Sequence, residues 1–121
     1  MKRQDLSTRL IDFTVLIYQV TNAFLNKTGN QHYTNQIIRS SSSSALNYGE
    51  ALSAESKRDF IHKIRIALKE LRETHFALQI IQKIQLCKSE PMMIQAIQEN
   101  NELISIFVKT IQTAEKNLHN K

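Results

Sequence analysis

The sequence is poor in residues that break a chain into turns: its 121 residues include two glycines and one proline. Hairpins of antiparallel β folds consume such residues, so a sandwich or barrel is disfavoured. Two glycines also cannot build the phosphate-cradling loop of a dinucleotide or P-loop fold. Tryptophan is absent and aromatics make up 7%, so a core must come from Ile, Leu and Ala. That composition suits helix packed on helix. The single cysteine, Cys87, has no partner for an internal disulfide, which favours a reducing compartment. No stretch approaches the roughly 20 apolar residues that span a bilayer. Lys2-Arg3 and the partly apolar run after them mimic a signal peptide only until Asp12 interrupts. A single cytoplasmic domain over residues 1–121, without a membrane partner, is expected.

Catalytic and metal signatures are missing too. A di-metal bundle site needs Glu-x-x-His pairs facing inward from two helices. Here Glu70-x-x-Glu73 and Glu99-x-x-Glu102 lack the histidine, and His75 lies two residues after Glu73, on the wrong helical face. His32, His62, His75 and His119 are dispersed, with no pair at i, i+3 or i+4. His75 reads as a satisfied or interfacial side chain. Cys87 lacks an obvious histidine partner, and the serine run has no nucleophile elbow. No enzyme activity, cofactor or metal is expected.

Present instead are four segments with helical period. In the first, about residues 6–25, Leu6, Leu10, Phe13, Ile17, Val20 and Phe24 alternate steps of four and three, an a/d stripe. Asn26 to Asn30 read as its stop, with Gly29 near a C-cap. The second, about 31–52, contains five consecutive serines, Ser40 to Ser44. Composition alone would make them a linker. Yet Ile38, Ser42, Ala45, Gly49 and Leu52 keep the four-three alternation, and small residues on one face admit a close neighbour. A helix is therefore predicted there against intrinsic propensity.

The third segment, about 57–86, starts with Ser56 as N-cap and Asp59 at N3. Its seam is Phe60, Ile64, Ala67, Leu71, Thr74, Leu78 and Ile81. The fourth, about 92–118, follows Ser89-Glu90-Pro91, with Pro91 suited to a first turn. Met93, Ile97, Asn100, Ile104, Phe107, Ile111, Ala114 and Leu118 form its seam. Asn100 is read first as a satisfied polar residue at a solvated edge, and alternatively as a buried residue that fixes register. Four helices with short connections predict an antiparallel up-down-up-down four-helix bundle.

Charge is uneven. The chain carries +5 overall, and residues 56–86, with seven basic and three acidic side chains, hold +4 of it. At about 100° per residue, Arg58, His62, Arg65, Lys69, Arg72, Phe76, Gln79 and Lys83 fall in one sector of the third helix, opposite its seam. The five cations Arg58, Arg65, Lys69, Arg72 and Lys83 extend over about 37 Å. Such a row can meet several phosphates of RNA or DNA at once. The alternative is a solvated face, although that usually alternates in sign and this one does not. Phe76 reads as a stacking surface for a base or guanidinium, or as packing against a neighbouring subunit.

The stretch Gln36-Ile37-Ile38-Arg39-Ser40, the serine run, and Asn47-Tyr48-Gly49-Glu50-Ala51 resemble the signature of a bacterial family. That family is named for proteins encoded in intervening sequences of 23S ribosomal RNA genes. Ser56-Lys57-Arg58-Asp59-Phe60 and Ala67-Leu68-Lys69-Glu70, followed by Glu73-Thr74, continue the resemblance in order. Two features depart from the pattern. Ser41 and Ser42 stand where the family often has Gly or Ala and Thr. His75-Phe76-Ala77 stands where an aromatic pair ending in Trp is common, so the contact that Trp makes is altered. The resemblance implies an antiparallel four-helix bundle assembled as a homopentamer, with the serine run helical. The family is similar to accessory proteins of diversity-generating retroelements, basic pentamers that bind nucleic acid and a reverse transcriptase. This implies possible RNA, DNA or protein partners. Arg39, Asn47 and Glu50 match the motif and imply structural roles, with Glu50 pairing to a neighbouring cation and Asn47 satisfying backbone groups.

Overall fold

The computed structural model describes residues 3–119; the Lys2 of the leader-like start lies outside them. Four helices follow one another: α1 (Arg3–Asn22), α2 (Asn30–Leu52), α3 (Lys57–Lys83) and α4 (Glu90–His119). Among the described residues there is no strand, only one antiparallel bridge between Phe24 and Cys87. That bridge fastens the α1–α2 connection to the α3–α4 connection, with Leu25 N–H donating to Leu86 O and Lys88 N–H to Ala23 O, each at 2.7 Å. Both connections therefore lie at the same end of the molecule. Each helix packs on two others, in the cyclic order α1, α2, α3, α4. None of the four is long and apolar enough to cross a membrane.

The α1 stripe is buried as its spacing predicts: Leu6, Leu10, Phe13, Ile17, Val20 and Phe24 are all in the core. Burying a Leu, Ile or Phe side chain contributes about 1.5–3 kcal/mol, so this stripe is a main anchor. Helix α1 nevertheless stops at Asn22, and Phe24 enters the core from the connection. Gly29 does not cap α1. It stands at the N-terminus of α2 with φ 93°, a left-handed conformation that glycine adopts without strain.

The serine run is helical. Its buried face is rotated one residue from the expected seam: Ile37, Ser40, Ser41, Ser44, Tyr48 and Ala51 are buried, whereas Gly49 and Leu52 are exposed. The larger Ile37 and Tyr48 decide the rotation, because each buries more apolar area than Gly49 or Ala45 can. The hydroxyls are satisfied inside the core. Ser41 Oγ donates to Ile37 O at 2.7 Å and Ser44 Oγ to Ser41 O at 2.7 Å. Thr74 Oγ1 donates to Glu70 O at 2.9 Å, which leaves its lone pair for Ser40 Oγ at 2.6 Å. Small side chains thus let α2 approach α3 closely while their polar atoms stay paired.

Ser56 caps α3 as its spacing predicts, accepting from Asp59 N–H at 3.0 Å. The helix ends at Lys83, three residues short of the expected limit. Leu86 N–H bonds Ile81 O and Gln85 N–H bonds Gln82 O, a Schellman turn with Gln85 at φ 56°. The sequence hides this stop because glutamine stands where glycine is usual. Ile61 and Ala77 join the α3 core face and Phe60 is only half-buried.

On α4, Met93, Ala96, Asn100, Leu103 and Phe107 are buried, with Ile97, Ile104 and Ile111 packed at the margin. Asn100 is not at a solvated edge. It is 0% exposed, its Nδ2 donates to Leu71 O at 3.2 Å, and its Oδ1 has no partner among the described residues. An orphaned buried acceptor costs about 1–3 kcal/mol, and Leu is close to Asn in shape. Asn100→Leu is therefore expected to leave stability unchanged or raise it by about 1 kcal/mol in urea unfolding. A loss beyond that would show that the amide carries more than the one visible bond.

Candidate nucleic-acid interface

Helix α3 places its outward row as its period dictates. Arg58, Arg65, Lys69, Arg72 and Lys83 are all exposed, as are His62, Phe76 and Gln79. Charge pairing divides the five cations. Arg65 pairs with Glu115 of α4, and its side chain remains 57% exposed. No carboxylate among the described residues pairs with Arg58, Lys69, Arg72 or Lys83. An exposed pair such as Arg65–Glu115 is worth about 0–1 kcal/mol, so a phosphate can compete for that guanidinium.

The other paired carboxylates lie off the row. Arg9 of α1 holds Glu99 through Nε at 2.7 Å and Nη2 at 2.8 Å, and reaches Glu102 at 3.1 Å. The hydrogen bond to Glu99 is the main cause that lifts the Arg9 pKa above its ordinary value, with burial opposing. Arg39 bridges from α2 to Glu70 at 2.9 Å and to Glu73. Its pKa is raised chiefly by the Glu73 hydrogen bond, then by Glu70. Lys63 meets Glu50 at 2.9 Å, and that hydrogen bond raises its pKa. Six glutamates are thus engaged by four cations, and the outer row of α3 keeps its excess.

The three motif residues act within and between helices. Arg39 and Glu50 tie α2 to α3 through the pairs just described. Asn47 Nδ2 donates to Ser43 O at 2.9 Å and to Ser43 Oγ at 3.1 Å, satisfying a backbone carbonyl within α2. Lys27 is a cation that sequence reasoning missed. Its Nζ donates to Ile84 O at 2.8 Å, beside the C-terminal end of α3, where a positive charge is favoured. The two residues are far apart in sequence, and no local pattern joins them.

Three surface grooves on the described residues are lined by none of the five row cations. A groove of about 430 Å³ between α1 and α4 is lined by Asp12, Gln19, Gln95, Gln98, Glu99 and Glu102 among others, with no cation. Such a wall does not suit phosphate. The outer face of α3, with four exposed and unpaired cations, is compatible with phosphate.

A family model described as 23S rRNA-intervening sequence protein matches residues 2–109. The chain belongs to that family. A crystal structure of a protein of unknown function from the S23 ribosomal protein family of Bacteroides thetaiotaomicron VPI-5482 is similar, with a TM-score of 0.83 and 27% identity. The match covers 93% of this chain and 99% of that one. No curated protein matches the chain. Family membership agrees with the motif residues Arg39, Asn47 and Glu50 on α2, and with the helical serine run between them.

Proposed function

We propose that this chain is a non-enzymatic, self-assembling protein that binds RNA or DNA through the outer face of α3. The observation that carries this reading is the set of four exposed cations, Arg58, Lys69, Arg72 and Lys83, that no described carboxylate neutralises. Phosphate binding gains from releasing condensed counterions, so a row of free cations favours a polyanion over a neutral partner. Repetition of the row around a homopentamer would multiply that modest charge into a multivalent surface. An antiparallel up-down-up-down arrangement in the cytoplasm completes the reading, and the bridge between the two connections at one end supports it.

Self-association draws support from α1. Ile11, Val15 and Tyr18 are 57%, 50% and 57% exposed and lie on one helical face. Thr8 and Asn22 extend that face without adding a charge. Uncharged, partly apolar surface of this kind marks a protein contact. The protein is expected to sediment at about five times its 14.0 kDa mass. The double variant Ile11→Lys/Tyr18→Glu is expected to reduce that mass while keeping helicity. An unchanged mass would place the subunit contact elsewhere.

The functional reading is tested by purifying the protein at low salt without nuclease and measuring its ultraviolet absorbance ratio and solution mass. With no tryptophan and three tyrosines, its own absorbance at the longer wavelength is weak. Bound nucleic acid therefore dominates the ratio. Recovery of one specific protein after nuclease treatment, with no nucleic acid before it, would favour a protein-interaction module. The Arg65–Glu115 pair and the exposed apolar side chains are the features that favour this second reading.

A further inference from the structure

We infer that Phe76 is a base-stacking platform and that the nucleic acid held by α3 is single-stranded. This inference rests on the proposed function and narrows its ligand. Phe76 is 66% exposed, in the outer half of a helix whose inward face is fully packed. Its one ring neighbour among the described residues is His75, edge-on at 5.9 Å between centroids and 65° between planes. His75 is in turn held by Gln79 at 3.1 Å. An edge contact steadies the phenyl ring and leaves a π-face for a ligand.

The surroundings of Phe76 set the ligand class. At about 100° and 1.5 Å per residue, Phe76 stands in line with the cation row. Arg72 is roughly one turn before it, Lys69 about two turns before and Lys83 about two turns after. Ile80, 43% exposed, extends the apolar spot by a turn. An exposed aromatic ring with cations on both sides along the helix matches what a single strand requires, with phosphates on the cations and a base on the ring. The interior of an intact duplex cannot use the ring without unstacking a base step. Its bases are stacked on one another and present only edges in the grooves. The uncharged α1 face differs in the respect that matters, since it has apolar exposure without cations.

The test compares a labelled oligouridine with a blunt RNA duplex of the same length, by fluorescence anisotropy at fixed salt. Phe76→Ala is expected to weaken oligouridine binding roughly ten-fold or more and leave the duplex nearly unaffected. Phe76→Trp is expected to restore affinity. Because the chain has no tryptophan, that variant also carries a unique reporter, whose emission should be quenched by oligouridine and not by duplex. Equal losses on both ligands, no loss on either, or a changed solution mass of Phe76→Ala without nucleic acid would each overturn the stacking role. Failure of the wild-type protein to bind either ligand would remove the basic-face reading and the stacking role together. Salt-dependent wild-type binding with an inert Phe76→Ala would remove the stacking role alone.

Discussion

The double variant Lys69→Glu/Arg72→Glu is expected to lose most nucleic-acid binding, on the order of a hundred-fold or more at low salt. Both side chains are exposed and without a carboxylate partner, at the centre of the α3 row. Each cation that meets a phosphate adds nearly one to the slope of affinity against salt on logarithmic axes. Removing two should flatten the slope by about two for each copy in contact. Reversal adds repulsion to that loss. Helicity should be unchanged, because neither side chain contributes to the core. The proper control is Lys109→Glu/Lys116→Glu, which makes the same change in net charge on exposed positions of α4. If the two variants bind equally, net charge alone drives binding and the α3 face has no special role.

Phe107→Ala is expected to destabilise the protein by about 3–5 kcal/mol, a large share of the roughly 5–15 kcal/mol that holds a domain folded. Phe107 is 0% exposed, and its ring lies 5.7 Å from that of Tyr48. The contact therefore links α4 to the helix that carries the serine run. Removing the ring leaves a cavity that four tightly packed helices can only partly close. Leu46→Ala provides the contrast: at 67% exposure it should change stability by no more than about 0.5 kcal/mol. Urea unfolding followed by circular dichroism measures both. A small effect at Phe107 would mean that the core tolerates the loss of a fully buried ring.

The strong periodicities were readable from the chain itself. The α1 stripe, the Ser56 cap and the exposed cation row stand where their spacing places them, because each follows from repeats within one helix. Competition between overlapping stripes was not readable. In α2 the pairs Ile37/Ile38 and Ser41/Ser42 offer two seams one residue apart, and only the neighbours that receive Tyr48 choose between them. The burial of Asn100 is illegible in the sequence for a related reason. A polar residue on an apolar seam is buried or not according to what faces it, and that is Leu71, on another helix. The stop of α3 is not legible in the sequence because Gln85 adopts a conformation usually reserved for glycine. At the binding face, the row was legible and its pairing was not. Arg65 meets a glutamate from α4 and Lys27 arrives from another connection, both through contacts distant in sequence.

The most direct test of the account is the affinity of the wild-type protein for labelled RNA, measured across a series of salt concentrations. Four free cations meeting phosphates predict a linear fall on logarithmic axes, with a slope of about −3 for each copy in contact. A flat line, or no binding at the lowest salt, would contradict the claim that the outer face of α3 holds a polyanion.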